Sequence, residues 1–113
     1  MTAKNTLTEA PPYAVEKAIK RLGTNLRTAR LRRNLTIEDV AEKIGTGTRA
    51  VSDAEQGKIT TGIAVYAALL WTYDLLDPIQ MLADPATDEE GLARSMRRTR
   101  ARAEKPEELD SDF

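Results

Sequence analysis

Two short, apolar-patterned stretches separated by only three residues, Gly45-Thr46-Gly47, constrain this chain more than any other feature. Thr36-Ile37-Glu38-Asp39 opens the first stretch. Thr36 falls at the N-cap and Asp39 at the third helical position, the two halves of a capping box that satisfies two orphaned amide groups reciprocally. Ile37, Val40, Ala41 and Ile44 then share one helical face. Gly45 closes the helix, because the position past a helix end favours positive φ and glycine adopts it without a Cβ penalty. After the turn Thr46-Gly47, a second short helix is predicted from about Thr48 to Gln56, with Ala50, Val51 and Ala54 buried and Gly57 ending it. Size and punctuation fit two helices packed across a tight turn.

The flanking sequence supplies more helices. Val15, Ile19, Leu22, Leu26 and Ala29 recur at helical spacing, which predicts an amphipathic helix from about Ala14 to Arg33. Gly23 sits inside it and weakens it by roughly 1 kcal/mol relative to alanine. Asn34 is a plausible left-handed stop. Gly62 or Thr61 starts a fourth helix with Ile63, Tyr66, Ala67, Leu70 and Tyr73 inward. Asp77-Pro78 pairs an N-cap with proline at the first helical position, so a short fifth helix is predicted over Pro78 to Leu82. Asp84-Pro85 breaks the chain, and Asp88-Glu89-Glu90 begins a last, arginine-rich helix whose acids suit a positive N-terminal dipole. No strand alternation and no internal repeat are visible. The expected class is all-α, with residues 1–13 as a disordered arm, 14–83 as the folded domain, and 84–113 as a charged helix and acidic tail.

Composition narrows the chemistry. Among 113 residues there is no Cys and no His, which excludes disulfides, thiolate sites, imidazole metal sites and Ser-His triads. Carboxylates are plentiful, but no phosphate-cradling glycine loop accompanies them. Neither enzyme activity nor a cofactor or metal is expected. No stretch approaches 18 apolar residues and the start, MTAKNTLTEA, has no apolar run, so a soluble cytoplasmic protein without a membrane role is expected. The net charge of -1 conceals a block structure. Lys17 to Arg33 holds seven bases and no acid, and Ile59 to Leu92 holds six acids and no base. Arg94, Arg97, Arg98, Arg100 and Arg102 form a second basic run before an acidic C-terminus.

The string TIEDVAEKIGTGTRAVSDAEQGK resembles the helix-turn-helix family of phage repressors and Xre-type regulators, on Thr36, Val40, Ala41, Ile44, Gly45, Val51, Glu55 and Gly57. The likeness runs from about Leu22 to Leu82. It implies a five-helix, lambda-repressor-like domain that binds double-stranded DNA, with the third helix in the major groove. The positions it makes base-reading are Thr48, Arg49, Ser52 and Asp53. Arg49 suits the O6 and N7 of guanine, whereas Asp53 either accepts from a cytosine amine, or acts by steric exclusion or as an internal partner for Arg49. Thr36, Gln56 and Lys58, with amides at the start of the helix that Thr36 caps, take the phosphate positions. Arg30 and Glu55 occupy the family's structural ion pair. Ile37 replaces a glutamine common in the family, and Thr48 replaces a longer polar residue, which shifts phosphate anchoring toward Lys58, Thr36 and the basic first helix.

Leu69-Leu70-Trp71, Leu75-Leu76-Asp77 and Leu82-Ala83-Asp84-Pro85 look like the HipB-like antitoxins encoded beside HipA-like kinase toxins. That resemblance implies a homodimeric repressor that autoregulates its operon and also binds the toxin. Leu69, Trp71, Leu75, Leu76, Ile79 and Leu82 exceed what so small a core needs, so an intersubunit role is expected for them, and with it an inverted-repeat operator. Two alternatives stay open: a stand-alone phage-type or Xre-type regulator, and a protein-interaction adaptor that lost DNA binding. Beyond Pro85, the acidic end Asp110-Ser111-Asp112-Phe113 reads as an arm for a protein partner. The preceding arginines read either as part of that arm or as a wrap for DNA phosphates.

Overall fold

Local signals set most of the helix ends in the computed structural model, which describes residues 5–104. Thr36 Oγ1 accepts from the Asp39 amide at 3.0 Å and Asp39 Oδ2 accepts from the Thr36 amide at 2.9 Å, completing the capping box. Those bonds stabilise the charged carboxylate and hold the Asp39 pKa below its usual range. Asn34 (φ 55°), Gly45 (φ 78°) and Gly57 (φ 68°) take the left-handed conformation at three successive helix ends. The described residues form six α-helices: α1 (Thr6–Glu9), α2 (Tyr13–Arg32), α3 (Ile37–Ile44), α4 (Thr48–Glu55), α5 (Ile63–Thr72) and α6 (Glu89–Glu104). A 3-10 turn at Asp77–Met81 stands where a short α-helix over Pro78–Leu82 was expected. No strand occurs among the described residues. The fold is all-α.

The chain divides into two compact units, one ending at Asp77 and one starting at Pro78. That division falls earlier than the break expected after Ala83. In the first unit α4 packs on α2, α3 and α5, and α3 also packs on α5. Leu26 and Ala29 of α2, Val40 and Ala41 of α3, Val51 and Ala54 of α4, and Tyr66, Leu69 and Tyr73 in and after α5 form the buried core. Burying such side chains contributes about 1.5–3 kcal/mol each for the larger ones. In the second unit no residue of α6 is buried.

Several expectations need correction. Leu69, assigned to a dimer surface, is fully buried in the core and has no surface to offer a second subunit. Ile63, placed inward, is 70 % exposed. Both errors have one cause. α5 is apolar all round, so its sequence carries no periodicity to say which face turns inward. The arm expected over residues 1–13 contains a helical turn at Thr6–Glu9, capped by Asn5 Oδ1 accepting from the Thr8 amide at 3.3 Å. Its first four residues, and the acidic end 105–113, lie outside the described residues.

Gly23 is the other surprise. A Cβ built there would lie 2.5 Å from the Ala54 carbonyl oxygen and 2.7 Å from that of Glu55. Opposite it, a Cβ at Gly57 would lie 2.5 Å from the Lys20 Cα. The two glycines let α2 meet the C-terminal end of α4 backbone to backbone, so Gly23 serves the packing that orients α4.

Candidate nucleic-acid interface

Helical geometry sorts the α4 side chains into two arcs. At about 100° per residue, Thr48, Ser52, Gln56, Arg49 and Asp53 fall within an arc of roughly 140°, while Ala50, Val51, Ala54 and Glu55 fall opposite. Val51 and Ala54 are fully buried. The outer arc faces solvent, and the Arg49 side chain is 86 % exposed. The N-cap of α4 is Gly47, which offers no side-chain hydrogen bond, and the first turn holds no acid. The N-terminal amides of α4 therefore remain open donors at the positive end of the helix dipole, a setting that favours anions.

Asp53 organises the charges on this arc. Its Oδ1 lies 3.0 Å from Lys58 Nζ and 3.8 Å from Arg49 Nε. One carboxylate thus faces two cations, and the trio carries net positive charge. At 3.8 Å the Arg49–Asp53 contact is too long for a hydrogen bond, so the guanidinium keeps the two-nitrogen fork suited to bidentate recognition. Gln56 Nε2 donates to Ser52 Oγ at 3.2 Å, which leaves the serine hydroxyl hydrogen free to donate elsewhere. Thr36, at the start of α3, has its oxygen engaged on the Asp39 amide and its hydroxyl hydrogen free. Thr48, Arg49, Ser52, Asp53, Gln56 and Lys58 come together on one surface, and Thr36 stands at the start of the helix packed against it.

Beneath that surface, Arg30 and Glu55 meet with side chains only 9 % and 5 % exposed. Arg30 Nε donates to Glu55 Oε2 at 2.7 Å and Nη2 donates to Oε1 at 3.0 Å, while Nη1 donates to the Leu35 carbonyl at 2.9 Å. The hydrogen bonds to Glu55 raise the Arg30 pKa above its already high ordinary value. The pair ties the end of α4 to α2 and to the segment entering α3. Arg33 adds a second tie, donating from Nη2 to the Tyr73 carbonyl at 2.9 Å with its guanidinium 5.5 Å from the Tyr73 ring centre.

Two further lysines stand near this surface or on the helix packed beneath it. Lys20, whose Nζ donates to Glu16 Oε1 at 3.0 Å, shares a groove of about 290 Å³ with Gln56 and Lys58. Its only sequence signal was membership in the basic run of the first long helix. Lys43 of α3 stands 5.5 Å above the ring of the exposed Trp71, a contact across helices that no local pattern announces.

The family model described as a helix-turn-helix domain matches residues 21–81. The chain belongs to the helix-turn-helix domain family. The matched span covers α3, the turn and α4, together with the part of α2 that carries Gly23 and Arg30. No curated protein and no solved structure matches the chain. A helix-turn-helix domain is the mark of a DNA-binding regulator, with its second helix presented to the major groove. No helix among the described residues is long and apolar enough to cross a membrane.

Proposed function

We propose that this helix-turn-helix protein is a sequence-specific repressor that binds an inverted-repeat operator as a two-fold homodimer. The outer arc of α4 carries the reading: a solvent-facing row of polar side chains with the Arg49 fork extended beyond it. Arg49 reads guanine, and Thr48 and Ser52 adapt to neighbouring base edges. Asp53 acts chiefly by orienting Arg49 and Lys58, and it selects against wrong bases by charge. Lys58, Gln56, Lys20 and the hydroxyl of Thr36 hold phosphates.

The dimer proposal draws support from the outer face of α5. Ile63, Ala64, Ala67, Ala68 and Trp71 lie within an arc of about 140° at helical spacing. Ile63 and Trp71 are 70 % and 56 % exposed, and Leu75 just beyond the helix is 44 % exposed. A contiguous apolar face with alanines at its centre suits close packing against a copy of itself. In this proposal Trp71 and Leu75 lie at the subunit interface, with the half-buried Leu76 beside them. Ile79 and Leu82, expected in the same role, belong to the second unit, where Leu82 is 71 % exposed, and are given no place on this face.

The likeness to HipB-like antitoxins supplies the partner: a HipA-like kinase toxin, with the repressor acting on their shared operon in the cytoplasm at the nucleoid. Footprinting on DNA upstream of the chain's own reading frame tests the operator. Two protected half-sites about 34 Å apart are expected, and an unprotected promoter refutes the reading. Co-purification with the product of a neighbouring kinase-like gene tests the toxin.

A further inference from the structure

Helix α6 is unusual in what surrounds its charge. From Gly91 to Ala103 it holds five arginines, no lysine and no acid. Glu90 Oε1 engages Arg94, with Nη2 at 2.7 Å and Nε at 3.2 Å. Among the described residues no carboxylate lies within ion-pair distance of Arg97, Arg98, Arg100 or Arg102. Arg94, Arg98 and Arg102 follow one another at i, i+4 and i+8, so like charges stack along one row and oppose the helix they sit on. Arg97 and Arg100 extend the positive surface around about 200° of the helix. Ser95 and Thr99 border Arg98 and Arg102 in a shallow groove of about 240 Å³. No residue of the helix is buried, and even Leu92 and Met96 are 59 % and 56 % exposed. Among the described residues this helix has no packing role that would explain its composition.

We propose that α6 is a second DNA-contacting element, which grips phosphates flanking the operator without reading bases. The proposal rests on the reading of α4 as the element that brings the chain to DNA. Three observations favour the phosphate backbone as occupant. Every base on the helix is arginine, whose planar guanidinium matches phosphate geometry. The positive surface spans about 200° of the helix, more than one face, which fits a groove with phosphates on both sides better than one face of a folded partner. Tethering to a DNA-reading unit raises the effective concentration of DNA phosphates around α6 far above that of a free ligand. Binding also relieves the repulsion along the arginine row.

The test uses the full chain carrying R97Q, R98Q, R100Q and R102Q, and measures affinity by fluorescence anisotropy between 50 and 200 mM salt. One duplex carries the footprinted site with flanking DNA, and one is of random sequence. Loss of four phosphate contacts makes the salt slope shallower by about three to four units per protomer, so the wild-type advantage shrinks roughly 100-fold across that range for each protomer bound, or about 10⁴-fold for a dimer. The loss should be equal on both duplexes, leave the base preference intact, and disappear when the flanks are trimmed away. Unchanged thermal midpoint of the variant shows that the first unit is intact. A variant with the wild-type slope overturns the proposal. If that variant instead loses binding to an acidic peptide, such as one copied from residues 105–113, the arginines serve a polypeptide. Should the wild type show no preference for the site while the variant still flattens the slope, the reading of α4 fails and that of α6 stands.

Discussion

Replacing Glu55 by alanine removes both carboxylate oxygens from the Arg30 guanidinium and leaves that cation with the Leu35 carbonyl as its remaining bond. Water cannot substitute freely, because the arginine side chain is only 9 % exposed. Hydrogen bonds to charged groups contribute about 1.5–3 kcal/mol each, and breaking a buried ion pair from one side costs about 3–5 kcal/mol. We expect Glu55→Ala to destabilise the protein by about 3 kcal/mol. That is a large share of the 5–15 kcal/mol available to a typical small domain. At about 4–8 °C per kcal/mol for a domain of this size, the midpoint should fall by more than 10 °C. Circular dichroism at 222 nm, followed through thermal and urea unfolding, reads the change. Arg30→Met with Glu55→Leu, which removes both charges together, should recover much of the loss. A single-variant effect below about 0.5 kcal/mol would mean that the pair is solvated and that α4 is not anchored as described.

Gly23→Ala should destabilise by about 1–3 kcal/mol in urea unfolding, opposite in sign to its gain in helix propensity, because the new methyl meets backbone rather than a movable side chain. Trp71→Glu should shift sedimentation from dimer toward monomer while leaving helix content unchanged, since the ring is 56 % exposed and not part of the core. Asp39 has a folded pKa below its unfolded value, so its contribution to stability is present above about pH 4 and is lost as pH falls through the folded value. The difference in urea midpoint between wild type and Asp39→Ala should therefore narrow on acidification from pH 7 to pH 3. A gap that persists unchanged would contradict the charged capping box.

What the sequence made legible was local. Thr36 and Asp39 bond each other across three residues, and Asn34, Gly45 and Gly57 terminate helices by their own backbone conformation. None of these depends on a distant neighbour. Gly23 was misread as a weakness because its reason lies in the carbonyls of Ala54 and Glu55, far along the chain. Leu69 and Ile63 were placed on the wrong sides of α5 because a helix apolar all round hides its inward face. On α4, helical spacing alone separates the outer positions from the buried Val51 and Ala54. That Asp53 divides its charge between Lys58 and Arg49 depends on how the chain after α4 turns back.

In the proposed repressor Arg49 reads a base while Lys58 holds the backbone. The direct measurement compares Arg49→Ala and Lys58→Ala on the footprinted operator, on its single-base variants and on random DNA, over a range of salt. Arg49→Ala should cost about 1–3 kcal/mol on the operator and flatten the preference at one base position in each half-site. Lys58→Ala should weaken every duplex alike and reduce the salt slope by about one unit. If the two variants behave identically on operator and random DNA, α4 does not read sequence through Arg49 and the account is wrong.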